Sequence, residues 1–516
     1  MLRRSALAPT QAAAGRAGRP VDGGVVAGAV GGVAGPASGA AVLGAVDGVA
    51  GAGPGVAGRA GAGPGAVERS AGPVAGHSGG TSVDRAAPAV ARPARREDPL
   101  LRNGLLLTAS SLLTSVVGVV FWALAARWYS PEQVGRNYAA VAALMLLGGI
   151  GQLNLSNVLV RFVPPARQPG RLVLRAYLGA VLAAVLAGTG FVLLVPVLSP
   201  GLGFLHTPLL GAAFVVGAVG YALFELQDGV FTGLRRADLV IWENTGFAVL
   251  KTGLLGAFAA AGAVLGILHA WLVGLVVVVV VTNSYLFARA IPRHRPRGSP
   301  ASPTPRYLAA DLTGALCWQA AASLPPVLVL NLSGAAASAY FSVAWLVGYG
   351  LYQFVNNMGY SLTVESADER TLPAHYWRLL RHTGALLAAA VLVLELAAPL
   401  LLRVFGADYA AHGTTALRLL GASALPFLVT STAVAVCRVR RRMRVAVTAL
   451  VSLSTLVLVL TVLLVPRWGS EGAAAAWLAA QLVVAAGLLA CAPWWRPARV
   501  RAGARRGAAR RGRARP

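Results

Sequence analysis

The sequence predicts an all-α, polytopic membrane protein: twelve transmembrane helices in two six-helix lobes, with disordered tails. Three observations predict it. Of 516 residues, 56% are hydrophobic and only 12% charged, against about 25% charged in soluble domains. Apolar runs of about 20 residues, the length that crosses a bilayer, recur from Gly104 to Trp494. Arginines collect in short blocks between alternate runs, which is how membrane topology is written. The net charge of +27 therefore does not mark a nucleic-acid binder, since no aromatic-rich basic domain carries it. Cys317, Cys437 and Cys491 lack metal-ligand spacing and imply neither a zinc site nor a disulfide framework.

Residues 1–98 form a Gly/Ala/Pro/Arg-rich tail in which "GAGPG" occurs at Gly51 and Gly61. Gly and Pro oppose a stable helix and supply little side chain to bury, so disorder is expected. The spans are then placed at 104–126, 138–162, 172–198, 208–234, 239–264, 268–288, 311–331, 337–364, 376–402, 414–437, 445–466 and 471–494. Two charge-free stretches are too long for one helix. They are expected to turn back at "LHTPLL" (205–210) and "AGAVLGILHA" (261–270). A basic, Pro-rich linker at 290–308 divides residues 100–289 from residues 309–495, giving six spans on each side. The Arg-rich tail 496–516 carries nine arginines and no acid, and suits anionic lipid headgroups. With these limits, 19 loop and helix-end arginines lie on one side and 5 on the other. Both termini are therefore expected in the cytoplasm of a cell-membrane protein. Trp128, Trp242, Trp377, Trp468, Trp494 and Trp495 fall near span ends, as an aromatic belt should.

The halves echo one another: the stretch from Tyr129 parallels that from Leu332, with Tyr138 against Tyr340 and Gln152 against Gln353. Six spans per half preserve orientation, so the repeats would be parallel about an axis along the membrane normal, a plan common in transporters.

Charge inside the spans marks the candidate site, because each ionised group near the bilayer centre costs at least about 2.5–3.5 kcal/mol. Glu225 and Asp228, three apart, share a helix face. Folding the fourth and fifth spans about Ala237 brings Lys251, the only lysine, to the depth of Glu225. The two are expected to face one inter-helix region, either as an internal ion pair or as part of a wet cavity. Glu243 lies about one turn inside. Arg161, with Arg171 and Arg175, either sets topology or meets phosphate oxygens, for which Arg is suited. Asp311 is expected to cap the seventh span or to serve transport. Glu395 is expected to pair with Arg403 or Arg418. Asn154, Asn157, Asn356 and Asn357 fall at matching places in the halves, for helix packing or cavity lining.

Several stretches carry a family resemblance. "RNGLLLTASSLLTSVVGVVFWALAARWYSPEQVG", "LQDGVFTGLRRADLVIWENTGF" (226–247), "GAAASAYFSVAW" (334–345) and "FGADYAAHGTTALRLLGASALP" (405–426) resemble the bacterial polysaccharide-biosynthesis membrane proteins. These are the oligosaccharide-lipid flippases of the multidrug/oligosaccharidyl-lipid/polysaccharide exporter superfamily. The resemblance covers about residues 100–495. It implies two six-helix lobes around a cavity that opens alternately to each side. It also implies a glycan on polyprenyl pyrophosphate as substrate, with membrane lipids and a glycan polymerase or glycosyltransferases as neighbours. No nucleotide-binding motif or cofactor site is expected, and a proton or cation gradient is a candidate driving force. The alternative on the same fold is a multidrug or cation exporter. A membrane-embedded glycan-assembly enzyme is disfavoured, since the outer loops are short and their acids, Glu132, Asp408 and Glu471, are isolated.

Overall fold

The computed structural model describes residues 117–296, 305–365 and 372–497. The N-terminal tail, the C-terminal tail beyond residue 497, residues 297–304 of the linker and the start of the first span lie outside these residues. Every regular element among those described is helical.

The first set of helices opens with α1 (Val117–Trp128). Ser130 caps α2 (Pro131–Gln152) in a capping box: the Gln133 amide donates to its hydroxyl, and its own amide donates to the Gln133 side chain. Pro131 supplies a first helical residue that needs no amide hydrogen. Leu153 and Asn154 then take left-handed backbone angles, φ 51° and 56°. The span predicted as 138–162 is therefore two helices, α2 and α3 (Leu155–Phe162). α4 (Pro169–Leu198) follows, and a 3₁₀ turn at Pro200–His206 reverses the chain. α5 (Pro208–Gly233), α6 (Ala237–Ala260) and α7 (Gly266–Tyr285) complete the set. The hairpins expected near 205–210 and 261–270 are both present.

The second set comprises α8 (Pro305–Ser333), α9 (Ala335–Glu365), α10 (Leu372–Arg403), α11 (Ala407–Val439) and α12 (Met443–Ala490), with a final short α13 (Ala492–Trp495). At 1.5 Å per residue the 48 residues of α12 would run about 72 Å, more than twice the apolar thickness of about 30 Å. Gly469, at φ 54° and ψ −131°, breaks it into two spans. That angle pair is open only to glycine.

Eight helices among the described residues are long and apolar enough to cross a membrane. The rest of the expected twelve are accounted for by α1, described only from Val117, by α6 and α9, which are interrupted by polar residues, and by the second half of α12. The chain is a polytopic all-α membrane protein.

Burial separates the spans by role. In the apolar window of α2, 83% of residues are buried; in α4 the share is 17%, and in α10, 28%. α4 and α10, third in their sets, therefore form the perimeter, with Leu178, Leu186, Leu193, Leu396 and Leu400 facing outward. α2 packs against α4 and α5 of its own set and against α8 and α9 of the other. Gly135 allows the closest approach: a Cβ there would collide with the main chain of Ala335 at the start of α9.

Trp128, Trp242, Trp468 and Trp494 are exposed as the belt predicts. Trp495 is not. It is buried against Tyr376, and its indole donates to the Leu488 carbonyl at 2.8 Å.

Candidate functional site

The seam between the two sets is polar at intervals. At one end the Arg127 guanidinium donates to the Val404 carbonyl at 3.0 Å. Nearby, Asn331 of α8 accepts from the Gly201 amide at 2.9 Å and donates to the Ser199 hydroxyl at 2.9 Å. Midway, the Gln319 amide reaches the Met145 carbonyl of α2 at 3.4 Å. Toward the arginine-rich end, the left-handed break between α2 and α3 presents Asn154. Its amide donates to Asp311 of α8 at 2.9 Å, and the Asn157 amide donates to Asn154 at 2.6 Å. Arg438 of α11 completes the chain with an ion pair to Asp311 at 3.5 Å.

Asp311 therefore does not cap its helix. α8 begins six residues earlier, at Pro305, and Asp311 lies on a buried face that ties the sets together. Asn154 and Asn157 act here as inter-helix partners. Their second-half counterparts differ: Asn357 is exposed, and Asn356 accepts from Ser431 at 3.5 Å.

Within the first set, Glu225 faces α2. Tyr221 donates to one of its oxygens at 2.8 Å, and the Gln152 amide to the other at 3.3 Å. Lys251 is fully buried in a pocket of rings: its ammonium lies 4.3 Å from the Trp271 centroid, 4.6 Å from Phe247 and 5.1 Å from Phe121. Such contacts are worth about 2 kcal/mol each once desolvated. Phe224, the residue before Glu225, packs on Phe247, one of the rings around Lys251, with centroids 5.3 Å apart.

Asp228 and Glu243 form a different cluster beneath them. Asp228 lies five residues before the end of α5, and Glu243 six after the start of α6. At 1.5 Å per residue both are about 7–9 Å from the turn. Glu243 is 5% exposed. Neither of its carboxylate oxygens, nor Oδ1 of Asp228, has a hydrogen-bond partner among the described residues. Tyr177 of α4 is buried close by with its hydroxyl equally unpartnered. The charges of Glu243 and Asp228 both act on Tyr177.

The rim of this end is cationic. Arg161, Arg167, Arg171, Arg175, Arg289 and Arg293 are all exposed. Elsewhere Glu395 takes Arg418, not Arg403, as partner: the guanidinium lies 4.0 Å from its carboxylate and donates to its carbonyl at 3.1 Å.

Sequence reasoning missed Arg438 as the partner of Asp311, and Tyr177 and Glu243 as neighbours of Asp228. The Arg438 contact joins helices far apart in the chain, which no local pattern signals, whereas Tyr177 and Glu243 sit on the helices either side of α5, and packing sets their rotation toward Asp228.

No sequence-family model matches the chain, and no curated protein matches it by sequence. Solved structures do. The lipid II flippase MurJ, in an inward closed conformation, aligns over 75% of this chain and 87% of its own, with 13% identity and TM-score 0.59. A multidrug resistance MATE family transporter of the MOP superfamily, in its inward-facing conformation, aligns over 72% and 92%, with 15% identity and TM-score 0.51. The chain shares its fold with these two solved structures. In it the seam along α2, α8 and α9 runs between the two helix sets, Glu225 meets the last residue of α2, and the Asp311 chain of contacts starts at the break that follows it.

Proposed function

We propose that this chain is a transporter that moves a lipid-linked oligosaccharide or polysaccharide precursor across the cell membrane by alternating access. The observation that carries the reading is the likeness to a lipid II flippase over three quarters of the chain. The rim supports it chemically. A pyrophosphate-linked glycan is an anion, and exposed guanidinium groups hold phosphate oxygens in bidentate fashion. The same arginines repel cationic drugs. By the inside-arginine rule the rim and both termini face the cytoplasm, where such precursors are made.

In this reading the two helix sets separate at one end while they remain joined at the other. Contacts at the Arg127 end and the Asn154–Asp311–Arg438 chain at the arginine-rich end are then broken in turn. The lipid tail stays in the bilayer beside the perimeter helices. Nothing in this cycle makes or breaks a covalent bond, and the chain is read as no enzyme.

A cation exporter is the second reading, favoured by the buried carboxylates Glu225 and Glu243 and the half-buried Asp228. Reconstitution separates the two. Proteoliposomes carrying a fluorescent glycan on polyprenyl diphosphate should expose the sugar to an external quencher with time, and protein-free vesicles should not. Efflux of a cationic dye without movement of the glycan lipid would replace the first reading with the second.

A further inference from the structure

We propose that Glu243, Asp228 and Tyr177 form a proton-binding site, set apart from the seam and reached from the arginine-rich end. Their geometry requires it. Glu243 is 5% and Tyr177 7% exposed, so both are more than nine-tenths buried. Four polar atoms, both Glu243 oxygens, Oδ1 of Asp228 and the Tyr177 hydroxyl, lack a hydrogen-bond partner among the described residues. A buried polar group without a partner is expensive, and a buried lone charge more so. The seam treats Asp311 differently: one oxygen takes the Asn154 amide and the other faces the Arg438 guanidinium, so its charge is held by a cation.

The surrounding charges leave one remedy. The groups acting on Asp228 are Glu243 and Glu225, both acids. Those acting on Tyr177 are Glu243 and Asp228. The neighbours supplied by α3 and by the turn after α7 are apolar: Leu159, Val163, Leu286 and Ala290. The nearby arginines of α3 and α4, Arg161, Arg171 and Arg175, are exposed. Two carboxylates in one low-dielectric site cannot both remain ionised without a positive species. The species we assign is a proton, the one that turns an unpartnered carboxylate oxygen into a hydrogen-bond donor. One carboxyl binds it as O–H, which removes the charge repulsion between the two acids and lets their side chains and the Tyr177 hydroxyl close into hydrogen-bonding range. Water is the source and sink of the proton, and nothing is oxidised or reduced.

As the point where a proton gradient enters the cycle, the site rests on the transporter reading above. As a binding site it does not. The test therefore uses the purified full chain in detergent, with no glycan lipid. Infrared difference spectra over an alkaline titration should show the carbonyl band of a protonated carboxyl in the wild type. In E243Q and in D228N that band should vanish or its midpoint should move by at least about one pH unit, a tenfold change in proton affinity. Y177F removes only a hydroxyl and keeps the packing, so it remains a test should the acid variants fail to fold. Its midpoint should also move. A band identical in the wild type and in every folded variant overturns the proposal. So does a spectrum that answers to sodium replacing choline but not to pH. Because no substrate is present, a negative result leaves lipid flipping standing, and a failed flipping assay leaves the proton site standing.

Discussion

Asp311 and Glu243 are acids of nearly equal burial, 3% and 5% exposed, in opposite circumstances. Asp311 sits on the seam with an amide from Asn154 and a guanidinium from Arg438. Glu243 sits inside one helix set and has no hydrogen-bond partner among the described residues. Burial alone therefore says nothing about what a membrane carboxylate does; its partners do. A charge held from two helix sets fastens them, whereas one with no hydrogen-bond partner among the described residues is open to take a proton from water.

The comparison can be broken first at its strongest point. Replacing Arg438 by Ala leaves Asp311 buried and uncompensated, and should destabilise the chain by about 3–5 kcal/mol. A thermal melt in detergent reads this. Adding D311N should return most of the loss, and a double variant as unstable as R438A alone would contradict the pairing. Next comes the seam at its other end. G135L forces a side chain into the main chain of Ala335 and should cost about 1–3 kcal/mol, the range for overpacking. Cysteine cross-links between α2 and α9 should weaken in parallel.

E243Q should behave unlike R438A. An amide is close in shape to a protonated carboxyl, so stability should change by no more than about 1 kcal/mol, the worth of one hydrogen bond. A loss as large as that of R438A would show that Glu243 is held structurally after all. The smallest effect belongs to the exposed pair at the α5–α6 turn, where Arg236 donates to Asp238 at 2.9 Å. The guanidinium holds the Asp238 carboxyl below its usual range. A depressed acid stabilises the fold above its unfolded value near ~3.9 and loses that contribution as pH falls through the folded value. With both side chains over 40% exposed, D238N should cost under about 1 kcal/mol. The difference from wild type should shrink in acid.

Much of the fold was legible because hydrocarbon is an exacting solvent. A stretch that enters it must be apolar, of fixed length and internally hydrogen-bonded. The break at Gly469 falls in the gap left between 445–466 and 471–494, and both expected hairpins occur. Depth was legible to within a turn: folding about Ala237 sets Asp228 level with Thr245 and Gly246, and Glu243, two residues before Thr245, is an acid that acts on it. The face a residue presents was less so. Successive helical residues turn by a third of a circle or so, and packing of distant helices sets the rotation. Hence Asp311 read as a cap and is a strut, and Trp495 read as a belt residue and is core.

The left-handed pair Leu153–Asn154 has a mechanical consequence. A straight rod through the bilayer must slide or tilt as one body, dragging every neighbour along its length. A jointed one confines movement to the segment beyond the elbow. Here the elbow also aims Asn154 at Asp311 of α8, so the joint in the rod and one of the ties across the seam share a residue.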